Sequence, residues 1–282
     1  MKSLKELMCD SSPVTAPSVF DGISALLVQE LGFPAAYIGS WSTSATRFGI
    51  PDLGYINLTD MAELVARLRG IIDIPLVVDA EGGWGNPLHV IRGVKVLERA
   101  GANAIHLEDG EFGKHLGATA VLPVGKAVDK IKAALDARDS DEFTIIARSD
   151  ALAAEGPDAT IDRLLAYQDA GADALFLAPA GLPDVKASTP ARLVEGSRVP
   201  IVVVNDPNCT TAEHGAHGAA MVLYYGVTNY AAEQGMREAL THLKADEPSV
   251  ATDGRSDFRQ FDKFLGIEAH RSHADKYSLS GS

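Results

Sequence analysis

Val77-Val78-Asp79-Ala80-Glu81-Gly82-Gly83-Trp84-Gly85-Asn86 is the stretch from which the rest of the chain can be read. An apolar run, Ile74-Pro75-Leu76-Val77-Val78, stops at Asp79 and Glu81, and glycines lead on to Asn86-Pro87, which opens a periodic segment. The pattern predicts a buried strand that carries two carboxylates to its tip, then a loop whose bare backbone can approach a ligand closely. Asn86 is a helix cap, Pro87 a first-turn residue, and Val90, Ile91, Val94 and Leu97 follow at helical spacing. Hard carboxylate ligands beside an open loop suit a magnesium ion. An isolated Asp-x-Glu is more often a pair of solvated acids, so the other strands have to decide.

The same grammar recurs along the chain. In Leu31 to Gly39, Ala100 to Leu107, Ala170 to Leu177 and His217 to Leu223, a helix ends in glycine, a small-residue turn follows, and a short apolar strand begins. These strands are apolar without alternation, as expected of a parallel sheet covered on both faces. Eight are predicted, near 14–20, 35–40, 76–81, 104–108, 143–148, 174–178, 201–205 and 221–225. Helices are expected from Thr59-Asp60, from Pro157-Asp158, and over Lys126 to Arg138 with Val128, Ile131 and Leu135 as its stripe. Eight such alternations imply an α/β fold of the (β/α)8 TIM-barrel type, in which the C-terminal strand ends form one mouth. The alternative is an open doubly wound sheet. It is weakened by the absence of a Gly-x-Gly-x-x-Gly turn after the first strand.

Composition narrows the class. With 282 residues, 46% apolar and 22% charged, the chain has the make-up of a globular enzyme. A formal net charge of -13 argues against nucleic acid or an anionic membrane as a partner. Cys9 and Cys209 are too few for a disulfide framework, no run is apolar enough to span a bilayer, and Met1 to Val14 lacks a signal-peptide core. A reduced, cytoplasmic setting is the expectation.

After Lys244 the texture changes. Ala245 to Ser249 and Thr252-Asp253-Gly254 read as linker, and Phe258, Phe261, Phe264 and Leu265 as an apolar helical stripe. Residues 1–244 are therefore expected to form the catalytic barrel, and 245–282 a linker and helical extension packed on the barrel or on a partner subunit. A homo-oligomer is expected.

Polar residues gather at the predicted strand tips: Ser40, Asp79 with Glu81, Glu108 with Asp109, Arg148 with Asp150, and Asn205 with Asp206. In a barrel they meet at one rim. Several acids there raise one another's pKa unless a divalent cation is present. Arg148 is shaped to hold a substrate carboxylate. The turn at Ser40-Trp41-Ser42 offers backbone N–H groups to a developing oxyanion.

These phrases, with Gly39-Ser40, Gly49-Ile50-Pro51-Asp52-Leu53-Gly54, His106-Leu107-Glu108-Asp109, Ile146 to Ala151 and Val203-Val204-Asn205, resemble the isocitrate lyase and phosphoenolpyruvate mutase superfamily over nearly the whole chain. The resemblance implies that Asp79 ligates magnesium, or manganese in its place, directly, with Asp52, Glu81 and Glu108 holding its waters. It implies that Ser40 and the Trp41 N–H bind the oxygens of a pyruvate-like enolate, Arg148 the substrate carboxylate, and Asn205 a further part of the substrate. It also implies a dimer or tetramer in which a C-terminal helix is exchanged between subunits.

Departures from the superfamily's patterns narrow the chemistry. The second acid of its Asp-x-Asp pair is Glu81 here. The lyases' Lys-Arg-Cys-Gly-His loop, whose Cys serves as general acid, is replaced by Gly110-Glu111-Phe112-Gly113-Lys114-His115-Leu116-Gly117. His115 is then the candidate proton donor. No Asn lies between Asn103 and Asn205, which disfavours mutase chemistry. The lyases' Glu after the sixth strand is Ala178-Pro179. Phe112-Gly113-Lys114 with Leu122-Pro123-Val124 looks more like the oxaloacetate decarboxylase branch.

The function expected is a magnesium-dependent carbon–carbon lyase for a small 2-oxo or 2-hydroxy dicarboxylate, working through a metal-stabilised enolate by decarboxylation or retro-aldol cleavage. Decarboxylation is the slightly preferred form. The alternatives are a phosphonopyruvate-type C–P hydrolase or mutase, and a non-catalytic carboxylate-binding barrel.

Overall fold

Eight strands run parallel in one sheet: β1 (Val14–Pro17), β2 (Ala36–Ile38), β3 (Leu76–Asp79), β4 (Ala104–Glu108), β5 (Thr144–Ser149), β6 (Ala174–Leu177), β7 (Ile201–Val204) and β8 (Met221–Tyr224). The computed structural model describes residues 2–111, 120–178, 191–247 and 257–277. The hydrogen-bonded order is β1-β8-β7-β6-β5-β4-β3-β2. The two ends meet through the Ser18–Tyr37 bridge and a 2.8 Å bond from the Val19 N–H to the Tyr37 carbonyl. This is the (β/α)8 barrel, with a thin seam between β1 and β2.

Each strand is buried on both faces, and the period-2 alternation of side chains sorts them into two layers. Val77, Ala104, Ile146, Phe176, Val202, Met221 and Leu223 pack inside the barrel. Leu76, Val78, Ile105, Leu107 and Ile145 pack outward among Val65, Leu68, Val94 and Leu97 of the surrounding helices. Burying each such side chain contributes roughly 1.5–3 kcal/mol, which holds the helices to the sheet. The short helix Leu4–Met8 sends Leu4 and Met8 into the inner cluster, and its Lys5 reaches Asp173 at 2.9 Å.

Helix ends follow the predicted chemistry. Asn86 caps the helix Pro87–Ala100 through the Leu88 N–H at 3.0 Å, and Gly101, at φ 102°, ends it in the left-handed region. Asn57 caps Leu58–Arg69, and Pro157 opens Pro157–Asp169.

The chain divides into two compact units, Met1–Tyr230 and Ala231–Ser282. The division falls within the helix Val227–Lys244. The second unit carries the helices Phe258–Phe264, capped by Asp257, and Ile267–Lys276. Among the described residues no helix is long and apolar enough to cross a membrane.

Candidate active site

The alternation that fills the barrel also builds its rim. Val77 points inward on β3, so Asp79 does too, and Glu81 follows just past the strand. On β4 the inward series is Ala104, His106, Glu108, and on β5 it is Ile146, Arg148. The register then sets Glu108 beside Arg148 on neighbouring strands and Asp79 beside His106. Three strands with acid or guanidinium at the last inward position place these groups together without any local sequence proximity.

The distances are those of one connected group. Arg148 Nη1 lies 3.2 Å from Glu108 Oε2 and 3.9 Å from Asp79 Oδ2, while Arg148 Nη2 donates to Asp150 Oδ1 at 2.9 Å. Its guanidinium carbon stands 5.4 Å from the centre of the Phe176 ring. Ser40 Oγ is 2.8 Å from Asp79 Oδ2 and 3.3 Å from Asp52 Oδ2, so one hydroxyl proton serves two carboxylates. The Ser40 N–H also points at Asp79 Oδ2, at 3.3 Å, and the Glu81 N–H donates to Asp79 Oδ1 at 2.8 Å. Asp52, Asp79, Glu81 and Glu108 are each no more than 6% exposed.

Negative charge dominates this rim and perturbs what touches it. Burial alone would lower the Arg148 pKa, but Asp150, Glu108 and Asp79 outweigh it and hold the guanidinium well above its ordinary value. Tyr37, below the rim, is pushed well up, first by burial and then by Asp79. Its hydroxyl is 3.0 Å from His106 Nε2, and His106 Nδ1 lies 3.6 Å from Asp79 Oδ1. Four buried acids on a rim that also carries one guanidinium form an oxygen-only donor set of the kind a hard divalent ion takes. Among the described residues no three His, Cys, Asp or Glu side chains close on a single point.

The loop that carries Glu81 is bent against preference. Glu81 and Trp84 adopt φ of 50° and 56°, a left-handed conformation that costs side-chain-bearing residues about 1–2 kcal/mol. Gly83, at φ 78°, leaves no room for a methyl group, since a Cβ there would lie 2.4 Å from Val90 Cγ2. Lys130 braces the loop by donating to the Gly82 carbonyl at 2.8 Å. Half burial lowers the Lys130 pKa, and Glu108 opposes that shift. Lys130, Glu81, Glu108, Trp84 and Ile56 line a cavity of about 420 Å³ beside the rim. Lys130 lies in the middle of the helix Val124–Ala137, well separated in sequence from any strand tip, and nothing in its sequence neighbourhood signals this role.

The remaining expected residues fall as follows. Ser42 turns its hydroxyl to Asn229 Oδ1 at 2.9 Å, across the barrel seam. Trp41 packs edge-on against Tyr225 and Tyr230, at 5.6 Å from each. Trp84 is tied by its indole N–H to the Ile56 carbonyl at 3.0 Å and packs against the outer core. Asn205 stands just past β7, its N–H on the Leu223 carbonyl. His115 lies outside the described residues, as does Pro179.

Asp109 departs from expectation. One residue past the inward-facing Glu108, it has the opposite parity and points into the helix layer, away from the mouth. There it is 1% exposed, with Ser149 Oγ and Tyr167 OH each at 2.7 Å and the Asp150 N–H at 2.9 Å. Sequence adjacency to Glu108 suggests a rim position, but strand parity turns alternate residues to opposite faces.

A parallel eight-stranded barrel with buried acids and one arginine gathered at its C-terminal rim has the layout of a barrel enzyme. Residues 4–244 match the family model described as phosphoenolpyruvate phosphomutase. The 2,3-dimethylmalate lyase of Eubacterium barkeri is 33% identical, covering 98% of this chain and 97% of that protein. An oxaloacetate decarboxylase of Rhodopseudomonas palustris is 38% identical over 69% of this chain and 70% of its own length. Among solved structures, a phosphonopyruvate hydrolase in complex with oxalate and Mg2+ superposes with a TM-score of 0.85 at 25% identity, covering 97% of each chain. The chain belongs to the phosphoenolpyruvate mutase and isocitrate lyase superfamily, and it is an enzyme, a lyase of that superfamily.

Proposed function

We propose that this enzyme cleaves a carbon–carbon bond in a small 2-oxo or 2-hydroxy dicarboxylate, with magnesium, or manganese, as its cation. The observation that carries the reading is the convergence of Asp79, Glu108 and Arg148 at the last inward positions of three adjacent strands. Asp79 would hold the ion directly, with Asp52, Glu81 and Glu108 reaching its waters. When bound, the ion supplies Lewis acidity to the substrate's 2-oxygen.

The protein's own groups do the rest. Arg148, already oriented by Asp150, takes the carboxylate next to the 2-carbon. Ser40 and the Trp41 N–H would bind the oxygen on which charge develops as the bond breaks. In an oxaloacetate-like acid the electron pair of the broken bond passes to that oxygen as carbon dioxide leaves, and His115 returns a proton to carbon. Likeness to an oxaloacetate decarboxylase supports this form. Likeness to 2,3-dimethylmalate lyase supports retro-aldol cleavage of a malate-like acid, in which Tyr224, Tyr225 or His115 takes the hydroxyl proton. Likeness to phosphonopyruvate hydrolase supports a second reaction class, hydrolysis of a C–P bond.

The enzyme is assigned to the cytoplasm as an oligomer that exchanges its C-terminal helices, with residues 245–282 as the extension. Exposed Met236, Leu240, Leu243 and Phe258 support assembly, because so many apolar side chains are poorly tolerated in water. Light scattering checks the oligomer.

The deciding experiment is a panel of 2-oxo and 2-hydroxy diacids with phosphonopyruvate, assayed for pyruvate, glyoxylate and phosphate with and without chelator. Chelator-sensitive pyruvate or glyoxylate release supports the lyase. Phosphate release from phosphonopyruvate alone supports the C–P reading. Oxalate binding with no turnover of any member would leave only a carboxylate-binding barrel.

A further inference from the structure

Asp109 is a buried carboxylate that the chemistry above does not use, yet it is bonded to both sides of the site. Its Oδ1 accepts the Asp150 N–H at 2.9 Å, and its Oδ2 accepts Ser149 Oγ and Tyr167 OH, each at 2.7 Å. Ser149 and Asp150 directly follow Arg148, and Asp150 is the acid that orients the guanidinium, with Arg148 Nε at 3.2 Å and Nη2 at 2.9 Å from its Oδ1. Fixing the Asp150 backbone therefore fixes the carboxylate against which Arg148 rests.

The second side is the stem of the segment joining β4 to the next helix. The Leu122 N–H donates to the Asp109 carbonyl at 2.9 Å, Gly110 bridges Val121, and the Glu111 N–H donates to the Ala120 carbonyl at 2.8 Å. Arg163, on the helix Pro157–Asp169, donates Nη1 to the Leu122 carbonyl at 2.7 Å and brings the same nitrogen within 3.7 Å of Asp109 Oδ2. Its other nitrogens are held by Glu155. Asp109 is thus tied by its carboxylate to the arginine-bearing strand tip and by its backbone carbonyl to the base of the loop that follows Glu108, with Arg163 3.7 Å from that carboxylate and bonded to Leu122. Strand parity divides the labour of two consecutive acids: Glu108 faces the mouth, and Asp109 faces the scaffold.

We infer that Asp109 is a positioning residue that sets the Arg148–Asp150 pair for binding the substrate carboxylate. This role rests on the proposed assignment of Arg148 as the carboxylate anchor. Asp109 touches no substrate and acts through the Asp150 backbone. Removing its charge frees the Ser149-Asp150 turn, and outer residues of this kind typically cost about tenfold or more in site affinity.

The test is calorimetric titration of oxalate into the magnesium-loaded full chain, with magnesium binding measured separately. Asp109→Asn is expected to weaken oxalate about tenfold while changing magnesium affinity by less than about twofold. Because Asp109 acts through Asp150, the Asp109→Asn/Asp150→Asn double variant is expected to bind no worse than the weaker single variant, whereas independent losses would multiply. Wild-type-like oxalate affinity in Asp109→Asn, or multiplied losses, overturns the positioning role and leaves the function intact. If Asp109→Asn does not fold, Ser149→Ala and Tyr167→Phe each remove one bond to the same carboxylate and keep its charge. Unchanged oxalate affinity in both overturns the role, and a loss of about threefold in either supports it. Failure of the wild-type protein to bind oxalate removes Arg148 as anchor and this role with it.

Discussion

Glu108 and Arg148 stand opposite each other in the parallel register of β4 and β5, with Arg148 Nη1 3.2 Å from Glu108 Oε2. Forty residues of chain separate them, and only the sheet brings them together. The pair gives the rim its polarity, with buried acids on one side and the guanidinium on the other.

Replacing Arg148 by Lys keeps the charge and removes the planar fork. Loss of a charged, two-point hydrogen bond is worth about 1.5–3 kcal/mol, so KM for a dicarboxylate is expected to rise roughly 10- to 100-fold. Steady-state kinetics check this, and an unchanged KM would argue that another residue anchors the substrate.

Asp79→Ala removes the acid to which Ser40 and the Glu81 N–H are bonded. Magnesium-dependent turnover is expected to fall by roughly a hundredfold or more, with circular dichroism and elution volume unchanged. Full activity in this variant would take the metal site out of the account.

Glu81 holds a left-handed φ of 50°. Glu81→Gly relieves about 1–2 kcal/mol of backbone strain and adds about 0.5–1 kcal/mol of chain entropy to lose on folding. The expected result in equilibrium urea unfolding is stability equal to or about 1 kcal/mol above wild type, together with reduced turnover. A clear loss of stability would mean that the glutamate supports the loop rather than straining it.

Gly83→Ala makes the opposite kind of change. At φ 78°, with Val90 Cγ2 2.4 Å from the new carbon, the variant is expected to lose roughly 1–3 kcal/mol of stability. Unfolding at wild-type denaturant concentration would show that the Gly82 to Gly85 loop can shift freely.

Tyr167 is held above its ordinary pKa first by burial and then by Asp109. The folded state keeps this proton where the unfolded chain releases it. Its contribution is therefore fully present below about pH 10 and is lost as pH rises from there toward the folded value. Unfolding free energies measured between about pH 8 and 11 should decline, and the decline should be shallower in Tyr167→Phe. Parallel curves for the two proteins would exclude Tyr167 as a source of the alkaline loss.

Much of this site is legible in the sequence. Asp79 and Arg148 are marked by where apolar runs stop, and the strand positions agree with those runs to within a few residues. Ser42 is read from the sequence as part of the turn that offers N–H groups to substrate, not as a tie to Asn229, because that partner lies 187 residues away. Lys130 was illegible, since a lysine on an amphipathic helix looks like any solvated charge until the Gly82 carbonyl is placed beside it. Asp109 was misplaced because whether an acid at a strand end faces mouth or scaffold depends on the register of that strand, which composition does not record.

The sequence by itself determined the number of strands, their parallel pairing through helical crossovers, and the supply of acids and one arginine at their ends, because burial and capping are local preferences written in residue order. Only the tertiary structure decided which of those groups face one another. That choice follows from strand parity, barrel closure at the Ser18–Tyr37 seam and the left-handed turn at Glu81, and each of these depends on residues far apart in the chain being packed at the same time.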